Sequence, residues 1–434
     1  MKKRFLLILL LFLVGFPNGI GAETERSWQD ESIYYITIDR FNNSDFSIDF
    51  DVDANDPNKY HGGDFQGVID RLDYIKDMGF TTINLSPIFD NDENGYHGYW
   101  VKDYFNTEEN FGSVDTFKNL VNEAHKIDMK VIIDFFIIEP TDKILDAAMW
   151  WIEETDIDGY RLDSEEQIPE DFLEEFSQVT NREKDNFLLL GEQKGTDGFF
   201  DYSLSKELRG AFAKPDQSLE PVTKLTELNT NPIFLDNQHT YRFTRDMVNN
   251  NEHPGPRWKL ALTYLYTAPG MPFVFYGSEI ALDGGEEPDN QRQMDFRTDK
   301  ELVDYITSVA KLRQEHPSLR RGNFEVLHEE NGMIVYKREY EGETSVIALN
   351  NTTKSRSAEI SLEDIENKEL RGLLTGDLVP SEDGKYNIIL DRDEAEVYML
   401  ADKSGLNIPF IAVTVSVIAL FIAFLFILKK KGRK

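Results

Sequence analysis

Two stretches, Gly159-Tyr160-Arg161-Leu162-Asp163 and Leu189-Leu190-Gly191-Glu192, each run apolar into a carboxylate, and the two acids stand 29 residues apart. An apolar strand that ends on an acid, then a helical stretch, then another such strand is the rhythm of a parallel β/α fold. Working outward, short apolar segments recur at Ile33 to Ile38, Thr81 to Leu85, Lys130 to Phe136, Phe187 to Leu190, Gly198 to Asp201, Ile233 to Leu235 and Phe273 to Tyr276. With Gly159 to Leu162 they make eight candidate strands.

Between them lie stretches with apolar residues three and four apart, at Val68 to Met78, Val114 to Ile127, Lys143 to Glu154 and Leu302 to Gln314, which read as amphipathic helices. Eight strands favour a closed (β/α)8 TIM barrel over an open sheet. Residues 192–197 are too few for a helix, so one helix of the outer ring should be missing. From Asn323 to Leu400 the pattern changes to alternating segments, at Met333 to Arg338, Thr344 to Asn350, Ala358 to Leu362 and Tyr386 to Leu390, split by turns such as Glu382-Asp383-Gly384. This predicts a C-terminal antiparallel β domain, a β-sandwich over residues 323–402, behind a barrel over 23–322.

The ends read differently. Lys2, Lys3 and Arg4 precede an apolar run from Phe5 to Phe16 that closes on Ile20-Gly21-Ala22, the layout of a cleavable signal peptide over residues 1–22. After a linker at 403–407, residues Ile408 to Leu428 carry no charge, and a basic tail over 429–434 follows at once. That pattern predicts one C-terminal transmembrane helix, with the tail cytoplasmic and the bulk of the chain extracellular at the cell membrane. Net charge over the 434 residues is −33. The two ends hold eight cations and no acids, so the body between them sets 79 acids against 38 cations. Such a body repels nucleic acid and anionic surfaces and suits neutral partners or cations. Without cysteine, disulfides and thiol chemistry are excluded. The 30 Phe and 18 Tyr suit packed strands and surfaces that stack on sugar rings.

In a parallel barrel, reactive groups come from the C-terminal ends of the strands. Arg161 and Asp163 are two apart on one strand and share a face. A guanidinium there would hold the carboxylate ionised and oriented, as a nucleophile requires; a structural ion pair at a strand end is the plain alternative. Glu192 leaves a dry strand, where burial would favour its protonated form and a role as general acid. One ionised and one protonated carboxyl is the division of labour in retaining glycoside cleavage, which places the pair roughly 5 to 5.5 Å apart.

Several further motifs fall in the same order as in a known family. Ile36-Thr37-Ile38-Asp39-Arg40-Phe41 is followed by Tyr60-His61-Gly62-Gly63-Asp64-Phe65-Gln66-Gly67, then Asn84-Leu85-Ser86-Pro87-Ile88-Phe89, Gly95-Tyr96-His97-Gly98-Tyr99-Trp100 with Asp103-Tyr104, Pro288-Asp289-Asn290 to Met294-Asp295-Phe296, and His316-Pro317-Ser318-Leu319-Arg320. Together they resemble the alpha-amylase family, glycoside hydrolase family 13, from residue 31 to about 400. The resemblance implies Asp163 as nucleophile, Glu192 as acid/base, Arg161 as the orienter of Asp163, and Tyr96 with His97 as a stacking and hydroxyl-binding pair for an α-glucan or maltooligosaccharide.

The chain also departs from that family. Its third acid, which grips sugar hydroxyls, falls on His239 in Phe234-Leu235-Asp236-Asn237-Gln238-His239, and the preceding histidine on Gln238. Ile138 and Glu139 stand where the family usually has Asn and His, and Glu166 and Gln167 where a Lys-His pair often sits. Pro140-Thr141-Asp142 leads straight into a helix, where the resemblance implies an inserted B-domain. An Asn/Asp-rich loop with Asn43, Asp45 and Asp49 ahead of Gly62 and Asp64 supplies the oxygen ligands calcium prefers, and some relatives with this loop bind Ca2+ there. Two readings stand open at this stage: a membrane-anchored α-glycosidase weakened by His239, and an inactive carbohydrate-binding or scaffolding protein on the same barrel.

Overall fold

The structure is a computed structural model that describes residues 26–225, 230–298, 300–363, 367–403 and 408–431. The expected signal peptide, most of the linker and the last three residues of the basic tail lie outside the described residues.

All eight expected strands form, at Ile33–Ile36, Thr82–Leu85, Lys130–Phe136, Gly159–Asp163, Leu188–Gly191, Gly198–Phe199, Pro232–Ile233 and Met271–Phe275. They pair in parallel in the order sixth to first, then eighth and seventh, so each strand lies beside its sequence neighbour, as barrel winding requires. The register runs Ile33↔Thr82, Thr82↔Lys130, Asp134↔Arg161 and Arg161↔Leu190. The exception is the sixth strand with the seventh, which no ladder joins among the described residues. That seam is bridged by the Phe199 N–H donating to Asn231 Oδ1 at 3.1 Å, and Gly198 is needed there because a Cβ would fall 2.2 Å from the Thr230 carbonyl oxygen.

These strands are apolar on both faces because helices cover the outside while side chains fill the inside. The four expected helices form at Phe65–Ile69 with Leu72–Asp77, Val114–Lys126, Asp142–Thr155 and Glu301–Glu315. Four more, at Glu170–Glu183, Tyr202–Phe212, Phe243–Asn249 and Pro254–Thr267, join the ring, which lacks a helix between the fifth and sixth strands. Residues 192–197 form no helix. Five residues, 137–141, connect the third strand to helix Asp142–Thr155.

Beyond the barrel, a six-stranded antiparallel sheet over residues 323–402 faces a two-stranded sheet, Arg356–Ile360 with Tyr386–Leu390. Val335, Val346, Ile360, Leu370 and Ile388 form the core between them. Helix Pro254–Thr267, buried on nearly all sides, is the dock: Arg338 donates to the Thr267 and Gly322 carbonyls, and Arg257 meets Asn351. Residues 408–428 lie in a helix, Ile408–Lys431, whose described side chains, such as Val413, Leu420 and Phe421, face solvent. Among the described residues no helix is long and apolar enough to cross a membrane; the described side chains of this one run only from Val413 to Leu425.

Candidate active site

At the C-terminal mouth of the barrel, neighbouring strands bring Tyr35, Asn84, Asp134 and Arg161 into one buried polar layer. Asp134 is its hub. It accepts from the Tyr35 hydroxyl (2.9 Å), the Asn84 amide (2.9 Å) and Arg161 Nη1 (2.8 Å). Full burial pushes the Asp134 carboxyl up to about 6, with Arg161 and Asn84 pulling the other way.

Arg161 also pairs with Glu192. Its carboxylate partners are therefore Asp134 and Glu192 and not Asp163, and the expected Arg161–Asp163 pair is replaced by a bridge between the third strand and the end of the fifth. The ring of Phe200 packs 4.6 Å from its guanidinium carbon. Glu192 sits in a different environment from the dry one expected: its side chain is 23% exposed and ion-paired.

Asp163 is held by the Ser164 N–H at 2.8 Å and by His239 Nε2 at 2.7 Å from Oδ2. Burial raises its carboxyl, but the hydrogen bond from His239 and the charges of Arg161 and His239 outweigh that and hold it below the usual carboxylate range. The two acids converge: one oxygen of Asp163, one of Glu192 and a nitrogen of His239 all lie within 4.8 Å of one another. His239 is the most exposed of the three, at 36% for its side chain, against 8% for Asp163.

Of the aromatic pair, His97 is buried and pushed down to about 4 by burial and then by Arg40, and its Nδ1 accepts from the Tyr99 N–H at 3.0 Å. Tyr96 is buried beneath the Arg40 guanidinium, 3.9 Å from its ring centre, and so is not free to stack on a ligand. The ring that reaches the acids is Tyr99, which the sequence reading passed over. Its centroid is 5.6 Å from that of His239 and its hydroxyl 3.5 Å from that of Tyr35. The available signal was its place in the same His97-Gly98-Tyr99 turn, two residues past His97. The Gln238 amide faces Arg161, the Tyr99 hydroxyl and His239 Nε2, and the orientation that satisfies these donors has its oxygen accepting from Arg161 Nη2 (2.8 Å), the Tyr99 hydroxyl (3.1 Å) and His239 Nε2 (3.1 Å). Tyr202, a second unforeseen member, interacts with Glu192 and accepts from the Asn237 amide at 2.8 Å. Ile138, Glu139, Glu166 and Gln167 all lie exposed.

A pocket of about 880 Å3 opens beside this centre, lined by Tyr202, Lys206, His239, Tyr241, Asn249 and Asn250 among others.

In the Asn/Asp-rich loop, Asn43 Nδ2 donates to both oxygens of Asp49 at 3.0 Å, while Asn43 Oδ1 is buried with no partner. A Cβ at Gly62 would fall 2.3 Å from Asn43 Nδ2 and 2.9 Å from Asp49 Oδ1, so Asn43, Asp49 and Gly62 crowd one spot. Asp64 spends its oxygens on the N–H groups of Ser44, Asp45 and Gly67, and Asp45 caps Ser47.

Two family models match the chain: the alpha amylase catalytic domain over residues 35–140 and the alpha-amylase C-terminal domain over residues 322–398. Among solved structures, an Anoxybacillus alpha-amylase is 47% identical, with a TM-score of 0.84, covering 88% of this chain and 100% of that one. A Geobacillus thermoleovorans alpha-amylase, solved with acarbose, is 42% identical with a TM-score of 0.82 over the same shares. A curated relative, the beta/alpha-amylase of Paenibacillus polymyxa, is 27% identical over 88% of this chain, and the chain spans only 38% of that relative's length.

Proposed function

Because the chain belongs to the alpha-amylase family of glycoside hydrolases, we propose that it cleaves α-linked glucans or oligosaccharides with retention, through Asp163 and Glu192. The observation that carries this reading is the approach of the two carboxyl oxygens to within 4.8 Å, on the retaining side of the spacings that separate the two mechanisms. Asp163 attacks the anomeric carbon as the bond to the leaving oxygen breaks. Glu192 gives that oxygen a proton, and then takes one from the water that releases the sugar from Asp163. Arg161 is a positioning residue for Glu192. His97 and Tyr99 line the sugar ring's site, and the chain of sugars extends past His239 into the pocket beside Tyr202 and Tyr241. Acarbose in the G. thermoleovorans alpha-amylase supports an oligosaccharide ligand.

His239 in place of an acid weakens this chemistry. Loss of one preorganised contact in a transition state costs about 2.7 to 4 kcal/mol, roughly a hundred- to a thousandfold in rate. The missing wall after the third strand, where only residues 137–141 connect strand to helix, leaves the cleft open on that side. We further propose that the helix from Ile408 anchors the protein in the cell membrane with its body outside, and that Asn43, Asp49 and Gly62, with Asp45 and Asp64 behind them, bind calcium; the buried, unpartnered Asn43 Oδ1 supports the second.

The test is turnover. Full chain in detergent, incubated with maltooligosaccharides beside Asp163→Asn, should release shorter sugars, and the variant should lose at least about a thousandfold, as for groups that act as a catalytic unit. Equal product from both would remove Asp163 from the role.

A further inference from the structure

We infer that His239 turns the mouth of the barrel into a site for a transition-metal dication of the zinc type, held together with Asp163 and Glu192. The inference uses the side chains of the proposed function but does not need turnover to be true.

The argument starts from donor chemistry. Asp163, Glu192 and His239 offer two carboxylate oxygens and one imidazole nitrogen, and among the described residues they are the one group of three or more such side chains whose ligand atoms converge this closely. Oxygen-only sites suit calcium or magnesium, whereas adding an imidazole shifts preference toward zinc and its neighbours. Ligands around zinc stand roughly 2.0 to 2.2 Å from the metal at the corners of a tetrahedron, so any two of them are about 3.4 Å apart. The observed limit of 4.8 Å leaves at most about 1.4 Å to close, by rotation of Glu192 and His239, the two more exposed members, toward Asp163.

Three groups compete with the cation. Arg161 pairs with Glu192, His239 bonds Asp163 through the nitrogen the metal would use, and Gln238 faces the same nitrogen. None of them blocks entry. Arg161 retains Asp134 when Glu192 leaves it, and an imidazole with its proton on Nδ1 presents the Nε2 lone pair to the metal. The exposed edge of His239 opens toward the pocket beside Tyr202, which leaves a position for water on the bound ion.

The experiment is calorimetric titration of the full chain with Zn2+, and the visible absorption of its Co2+ form. We expect one equivalent bound in the wild type. His239→Gln, which keeps a hydrogen-bond donor for Asp163 without an imidazole, should weaken it at least tenfold and abolish the Co2+ band, and Asp163→Asn should do likewise. Melting curves establish that each variant is folded. Zinc bound equally by wild type and His239→Gln would show attachment to surface acids and overturn the inference, as would absence of stoichiometric binding. His239-dependent zinc binding in a chain without turnover would leave this inference standing and remove the proposed function; turnover with zinc binding indifferent to His239 would do the reverse.

Discussion

At the scale of the residue, the site depends on who neutralises whom. Two carboxyl groups this close repel when both are charged, and here each has its own donor, Arg161 for Glu192 and His239 for Asp163. A nucleophile must be ionised to attack, and the His239 contact is what holds the Asp163 carboxyl low against its burial. Replacing His239 with Gln removes that charge. The acid limb of kcat/KM, which reports the free enzyme, should therefore move to higher pH in His239→Gln, read from initial rates between pH 3 and 8; an unmoved limb would separate His239 from the ionisation of Asp163. The two acids were legible in the sequence because each closes an apolar strand. Arg161's true partners were not, because spacing places a side chain on a face without saying which neighbouring strand it meets. Asp134, the hub of the layer, sat inside a strand that read only as apolar.

At the scale of the element, the loops between strands carry what periodicity cannot show. The hairpin of Phe89–Asn91 with Val101–Thr107 holds the turn that delivers Tyr99, and its sequence has no clean alternation to announce it. Tyr96 and Tyr99 look alike as letters; the turn puts one under Arg40 and the other against His239. Helix Pro254–Thr267 escaped notice for the opposite reason, being buried on nearly every side and so without a polar face to give a period. The loop from Asn43 to Asp64 makes the element-scale prediction. If calcium fills the spot beside Asn43 Oδ1, melting in excess Ca2+ should exceed melting in EGTA by several degrees, as expected for a cation present far above its Kd, and Asn43→Ala should erase the difference. Equal midpoints would remove calcium from this loop.

At the scale of the whole molecule, barrel and C-terminal sheets were legible because strand count, spacing and the change from helical to alternating pattern all agree. The seam between the sixth and seventh strands was not, since two-residue strands leave almost no pattern to read. The strongly acidic body and the basic tail divide the chain into a part that avoids anionic surfaces and a part drawn to them. The full chain should therefore co-sediment with phospholipid vesicles, while a chain ending at Asp402 stays in the supernatant; equal partition of both would contradict anchoring by the helix from Ile408. The proposed activity rests on one geometric claim, that Asp163 and Glu192 serve a single anomeric carbon from opposite roles. Proton NMR of the first product formed from a maltooligosaccharide, recorded before mutarotation, tests it most directly. The α-anomer should appear first, and first appearance of the β-anomer would contradict the account.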